Sequence, residues 1–339
     1  MKKMIEQGIL LRIENVTKIF RIGGRITGSK LVAVSNANIE MEGSKPEIFA
    51  LAGESGSGKT TLARMILGLI EPSSGRIIFK GRDINTLKNR KDKLWFKREV
   101  QPIFQNPFEA FNPLKKVESY LFETAKNLLL LKTKDEVLEN ISQAVKAVGM
   151  SLEEIKDRYP SEFSGGQLQR LSIARALVAK PSLLIADEPV SMVDASLRMS
   201  ILNLFRNLNK DHGVSIIYIT HDLATAYYVS DRIAIMFRGV IVELGPVDEV
   251  LSKPYHPYTQ LLLESIPKPD PDRKWERRIK LSDMEVKEYS LVGCKFVTRC
   301  PYAKEICKKK EPPFVHVEKG RSVKCFLYSN GTIKISEEV

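Results

Sequence analysis

Four short stretches carry residues whose types and spacing suit phosphate chemistry. The first is GESGSGKT, residues 53 to 60, where Gly53, Gly58, Lys59 and Thr60 satisfy G-x-x-x-x-G-K-[ST]. Glu54, Ser55, Gly56, Ser57 and Thr61 complete the stretch. Glycines let the backbone wrap tightly enough for successive N–H groups to face phosphate oxygens, and a following helix adds its positive N-terminal dipole. In that arrangement Lys59 reaches the β and γ phosphates of a nucleotide and the Thr60 hydroxyl ligates Mg²⁺. The second stretch, SLLIADEP at 182 to 189, ends an apolar run in two carboxylates. Asp187 can hold the hydrated Mg²⁺ and Glu188 can polarise an attacking water as general base. The third, VSIIYITHD at 214 to 222, ends in His221, and Gln105 follows the short apolar run around Val100 to Phe104. The fourth is FSGGQLQR at 163 to 170, where Ser164, Gly165, Gly166 and Gln167 put a small, bare end on a helix, a second anion-binding device. Two phosphate-binding helix ends in one chain require either two nucleotides or two chains.

The elements that must position these groups are legible as apolar runs. EIFALAG (47 to 53), SLLIADEP and VSIIYITHD read as buried strands, and KTTLARMILGL (59 to 69) has helical apolar spacing. Strand, loop and helix in that order is the context the phosphate loop demands. Buried apolar strands that end in polar groups predict an α/β protein with a parallel sheet, its chemistry at the carboxyl edge.

In kind and in order these elements resemble the ATP-binding cassette (ABC) ATPases, over roughly residues 10 to 265. The resemblance implies a P-loop NTPase fold with a parallel RecA-like core, an antiparallel β subdomain and a helical subdomain at about 106 to 180. It makes Gly53 to Thr61 the Walker A motif, Gln105 the Q-loop and a Mg²⁺ ligand, and Ser164 to Gln167 the signature that closes over ATP bound by a partner cassette. It likewise makes Leu183 to Asp187 the Walker B strand, Glu188 the catalytic base, Asp194 in SMVDAS the D-loop acid, and His221 the switch histidine. Phe20 in VTKIF takes the place of the aromatic that stacks on adenine, although an N-terminal strand can also end in a core Phe. FSGGQ in place of LSGGQ, and SMVDAS as the D-loop, remove no group that hydrolysis requires.

A narrower resemblance rests on QNPFEAFNPLKKV (105 to 117), PYHPYTQLLL (254 to 263) and the tail. These are similar to the ATP-binding subunits of oligopeptide and dipeptide importers, whose wider family also serves nickel and oligosaccharides. That resemblance implies a second, related cassette chain, two permeases, an extracytoplasmic binding protein and a place on the cytoplasmic face of the membrane. Pro267, Pro269 and Pro271 mark a linker between residues 1–265 and a C-terminal extension, 266–339. The extension holds all four cysteines: GCKFVTRCPYAKEIC (293 to 307) carries Cys294, Cys300 and Cys307, and Cys325 follows. A reducing compartment argues against disulfides. The spacing C-x5-C-x6-C-x17-C is looser than zinc knuckles use, while a [4Fe-4S] cluster tolerates it. The resemblance implies such a cluster at these four thiols; zinc and unliganded structural thiols remain as alternatives.

The formal charge is +12, and residues 266–339 hold 17 Lys and Arg against 11 Asp and Glu, so half of the excess lies in the extension. Basic charge alone would allow a soluble ABC ATPase acting on nucleic acid or ribosomes. Coiled-coil repair ATPases, however, separate the two halves of the site by long heptad arms, whereas 58 residues without sustained heptads separate Gln105 from Ser164. No nucleic-acid partner is therefore expected. Glu6 and Glu14 interrupt the N-terminus before a secretion signal forms, and the longest leucine run, Leu128 to Leu131, is far below the ~20 apolar residues of a membrane span.

Overall fold

The computed structural model describes residues 8–22, 29–108, 110–131, 133–265, 288–289 and 291–329. The Pro267, Pro269 and Pro271 linker lies outside them. Among the described residues twelve strands form two sheets. A four-stranded antiparallel sheet, in the order β2-β1-β4-β5, contains β1 (Ile9–Ile22), β2 (Ser29–Glu42), β4 (Ser74–Phe79) and β5 (Arg82–Asp83). Along β1, Leu11 and Ile13 are buried while Arg12 and Glu14 face outward, the alternation of a sheet with one wet face.

The parallel part of the larger sheet comprises β3 (Ile48–Ala52), β6 (Val100–Ile103), β7 (Leu183–Asp187), β8 (Ser215–Thr220) and β9 (Arg232–Phe237). The larger sheet, with β10 (Val240–Pro246), β11 (Phe314–Glu318) and β12 (Arg321–Lys324) at one side, has the strand order β11-β12-β10-β9-β3-β8-β7-β6. Every residue of β3 and β8 is buried, as is every residue of β7 except Asp187, because helices cover both faces. Side-chain alternation sorts these strands between two cores. Phe49, Leu51, Ile217 and Ile219 pack with Leu62, Met65 and Ile66 of the Lys59–Ile66 helix. Ile216 and Tyr218 pack with Leu202, Phe205 and Leu208 of the Ala195–His212 helix, and with the helices at Val117–Thr124, Lys134–Ala147 and Gly165–Val178. The last three helices occupy the span expected for a helical subdomain, and Thr133–Glu136 and Ser164–Gln167 capping boxes start two of them. Among the described residues no helix is long and apolar enough to cross a membrane.

The hairpin of β9 and β10 (Val240–Pro246) continues the sheet, and the C-terminal segment joins it there. β12 (Arg321–Lys324) pairs antiparallel with β10, and β11 (Phe314–Glu318) pairs with β12. Glu243 on β10 is fully buried and accepts the Tyr255 and His256 backbone N–H groups at 2.9 Å, with the Arg321 guanidinium at 3.3 Å. Phe296 stacks edge-on against Phe237 and near Tyr258, with centroids 5.5 Å from each.

His256 lies in this interface, 1% exposed, and its Nδ1 accepts the Tyr258 N–H at 3.0 Å as the N-cap of the Pro257–Glu264 helix. Burial disfavours the imidazolium and pushes its pKa from the ordinary 6.5 down to about 3. Because the folded value lies below the unfolded one, neutral His256 stabilises the fold above pH 6.5, and that stability is lost as pH falls toward 3. His256→Asn keeps a capping side chain and removes the titration. The wild-type chain should therefore lose about 1.4 kcal/mol more than the variant for each pH unit below 6.5, read from urea unfolding at pH 7 and pH 5. Equal pH dependence in the two proteins would rule this out.

Candidate nucleotide site

Parallel pairing brings the polar strand ends together. Ala52 of β3 pairs with Thr220 of β8, Ile219 with Asp187 of β7, and Ala186 with Ile103 of β6. Gly53, His221, Glu188 and Gln105, each just beyond a strand end, therefore emerge along one edge.

The phosphate loop is bound tightly to the sheet. Gly53 has φ 151°, and a Cβ there would lie 2.1 Å from the Met236 carbonyl oxygen, so only glycine fits. Gly239 N–H donates to the Ser57 carbonyl at 2.8 Å, tying the loop to the β9–β10 turn. Lys59 is buried, and its ammonium donates to the Gly53 and Glu54 carbonyls at 2.8 Å. Burial lowers its pKa, an effect opposed by the negative charges of Glu188, Asp187 and Glu54. Thr60, the second residue of the Lys59–Ile66 helix, lies beside Asp187, its hydroxyl 3.3 Å from the carboxylate. Desolvation raises the Asp187 pKa, and the Thr60 hydrogen bond works against it. The Thr60 hydroxyl and Asp187 carboxylate form a pair of hard oxygen donors of the kind Mg²⁺ selects.

Glu188 occupies the left-handed region at φ 45°, which costs a non-glycine residue ~1 kcal/mol. Its N–H donates to the Ile219 carbonyl at 2.9 Å, and its own carbonyl accepts the Ser191 N–H at 3.2 Å and the Ser191 hydroxyl at 2.9 Å. The turn places the carboxylate between two donors: Gln105 Nε2 at 3.1 Å from Oε2, and His221 Nδ1 at 3.1 Å from Oε1. A carboxylate only accepts, so the His221 contact is a hydrogen bond in the tautomer that carries its hydrogen on Nδ1. A carboxylate held in this way at the mouth of a phosphate loop is equipped to orient and deprotonate a water.

The remaining expected residues lie elsewhere. Ser164 caps the Gly165–Val178 helix, its hydroxyl accepting from Gln167 N–H. Gly166 packs so closely on Leu197 that a Cβ would lie 2.7 Å from it. Among the described residues, the hydrogen bonds of Ser164 and Gln167 stay within their own capping box and helix, with none to the phosphate loop. Asp194 is exposed and begins the Ala195–His212 helix without a side-chain cap. Phe20, on the antiparallel sheet, is 37% exposed, so it is not core, and the Lys18 ammonium lies 5.3 Å from its ring. Three contacts to the loop had no local signal, because their partners are more than 200 residues away. Tyr258 OH accepts the Glu54 N–H at 3.0 Å, Arg299 reaches the Glu54 carboxylate at 3.3 Å, and Tyr289 OH donates to the Gly56 carbonyl.

The iron–sulfur expectation is corrected. Cys294, Cys300, Cys307 and Cys325 are all free and line one cavity, but among the described residues no three His, Cys, Asp or Glu are placed to hold a metal ion. Burial pushes Cys294 up to about 11 and Cys325 up to about 12, and raises Cys300 as well, which favours the neutral thiol at these three positions. Cys294 and Cys300 pack beside Phe237 and Phe296, and Cys325 packs with Tyr255 and Val323. These three pack as small apolar side chains.

Residues 36–191 match the family model for ABC transporters, and residues 242–307 match the one for the C-terminal region of oligopeptide/dipeptide transporters. A probable peptide ABC transporter ATP-binding protein of Sinorhizobium fredii is 41% identical over 325 residues, covering 94% of this chain and 90% of that protein. An oligopeptide transport ATP-binding protein of Streptococcus pneumoniae is 44% identical, covering 77% of this chain and 83% of its own length. Among solved structures, the dimeric post-hydrolysis state of the ATP-binding cassette MJ0796 with ADP and Pi superposes with a TM-score of 0.61 at 25% identity, covering 70% of this chain and 99% of that one.

Gly53→Ala should destabilise the chain by at least about 2 kcal/mol, since its Cβ overlaps the Met236 carbonyl and the φ is unfavourable. A urea midpoint unchanged from wild type would show that the loop is not bound to the sheet as described.

Proposed function

The chain belongs to the oligopeptide/dipeptide branch of the ABC transporter ATP-binding proteins, and on that premise we propose that it is the ATP-hydrolysing subunit of a peptide importer. The observation that carries the chemistry is the Glu188 carboxylate held between Gln105 and His221 on the edge that bears the phosphate loop. Glu188 takes the proton from the attacking water, and His221 and Gln105 fix its direction. Lys59 and the loop N–H groups, from Gly53 through Thr61, hold the phosphates. Thr60 and Asp187, with Gln105, would hold Mg²⁺, which supplies positive charge to the phosphate oxygens when bound. Phe20 stacks on the adenine.

Ser164 to Gln167 form a helix N-terminus whose hydrogen bonds leave the chain's own loop untouched, which supports service to the nucleotide of a facing cassette, with Asp194 at the junction. The dimeric state of MJ0796 supports the same arrangement. The partner set is then a second, related ATP-binding chain, two membrane permeases and a substrate-binding protein, with this chain peripheral on the cytoplasmic face. Peptide as the cargo is supported by the names of the relatives at 41% and 44% identity. In this reading residues 1–265 form the nucleotide-binding unit and residues 266–339 an extension of it.

Glu188→Gln keeps the shape of the side chain and removes the base. ATP hydrolysis measured by phosphate release should fall by about 100-fold or more, while ATP binding persists. Undiminished turnover would remove Glu188 from that role. Stimulation of hydrolysis by DNA or RNA, steeply dependent on salt, would favour the alternative of a soluble nucleic-acid ATPase.

A further inference from the structure

The C-terminal segment grips the phosphate loop at Glu54 and Gly56. Arg299, one residue before Cys300, aims both terminal guanidinium nitrogens at Glu54, with Nη1 at 3.3 Å from Oε1 and Nη2 at 3.3 Å from Oε2. This fork-to-fork pairing fixes direction as well as charge. The Arg299 side chain is 14% exposed and that of Glu54 32%, so water screens the pair less than a surface contact. Arg299 is itself held rigidly. Its guanidinium lies 4.8 Å from the Phe237 ring centre and 5.7 Å from that of Phe296, and its Nε is 3.3 Å from the buried Glu288 carboxylate, which Arg238 also holds at 2.9 Å. Tyr289, next to Glu288, donates its hydroxyl to the Gly56 carbonyl two residues further along the loop.

Glu54 lies within the loop that receives phosphates. Unpaired, its carboxylate would repel them and be free to turn the peptide that carries the Glu54 carbonyl, an acceptor for Lys59 at 2.8 Å. We infer that Arg299 and Tyr289 are positioning residues for the nucleotide, through which the cysteine-bearing segment sets ATP affinity by neutralising Glu54 and holding the loop backbone in its binding conformation. Among the contacts of the described residues, none joins Arg299 or Tyr289 to Glu188, Gln105 or His221, so the effect falls on binding and leaves the chemical step alone. The inference rests on reading residues 53 to 61 as the nucleotide loop.

The test is Mg²⁺-dependent binding of a fluorescent ATP analogue to the full chain, with thermal unfolding followed alongside. Arg299→Gln should raise Kd about fivefold in the wild-type background and less than about twofold when Glu54→Gln is already present, because a contact pair is not additive. Turnover at saturating ATP should stay within about twofold in Arg299→Gln, whereas a purely structural lesion lowers it in step with stability. An unchanged Kd, or the same fivefold loss in both backgrounds, overturns the inference. If Arg299→Gln does not fold, Tyr289→Phe removes only a hydroxyl and should raise Kd about twofold; no change there also overturns it. A wild-type chain that binds no ATP defeats the nucleotide reading itself, while normal wild-type binding matched by Arg299→Gln defeats only the present proposal.

Discussion

Parallel alignment of β3, β8, β7 and β6 is the constraint on which the rest of the site depends. Strands that run the same way and pair in register must end on the same edge. Residues 53, 105, 188 and 221, separated by scores of positions in the chain, thereby come to adjacent strand ends. The cost is that the strands are buried on both faces and need covering helices. Two of those helices start at that edge: one begins at the phosphate loop with Lys59, and another follows its N-cap Asp194, just beyond the Glu188 turn. A crevice so formed needs no separate scaffold.

Around that edge the backbone accepts strain where function requires a particular direction. Glu188 adopts a left-handed turn that re-aims its carboxylate out of the strand line, and hydrogen bonds to Ile219 and Ser191 hold it there. Gly53 and the Met236 carbonyl approach more closely than any side chain would allow. The phosphate loop is therefore part of the packed core. Its ammonium is buried, its backbone is tied to the β9–β10 turn, and its conformation depends on the tertiary neighbours that surround it.

The C-terminal segment is one of those neighbours. It adds β11 and β12 to the main sheet, seats Arg321 on the buried Glu243, and places Phe296 among Phe237 and Tyr258. The cysteines belong to this packing. Their clustering in the sequence suggested a metal centre, because spacing reports how near residues are along the chain. Spacing says nothing of whether their sulfurs converge or whether the surroundings favour thiolate. Here desolvation by apolar neighbours favours the protonated thiol at Cys294 and Cys325, and among the described residues no ligand set for the expected cluster is present.

Local chemistry is what the sequence determined by itself. The glycine spacing around Lys59, the acidic pair after an apolar strand, the capping Ser164 and the fully apolar runs each depend on contacts within a few residues, and these specified the fold class and the strand-end residues. The contacts of Glu188 with Gln105 and His221, 83 and 33 positions away, followed only once parallel order was assumed. The grip of Tyr258, Arg299 and Tyr289 on the loop, and the upward shift of the Cys294, Cys300 and Cys325 thiols, were decided by tertiary structure alone. They join segments more than 200 residues apart or depend on how much water burial removes, and neither separation in space nor solvation is written in any local run of residues.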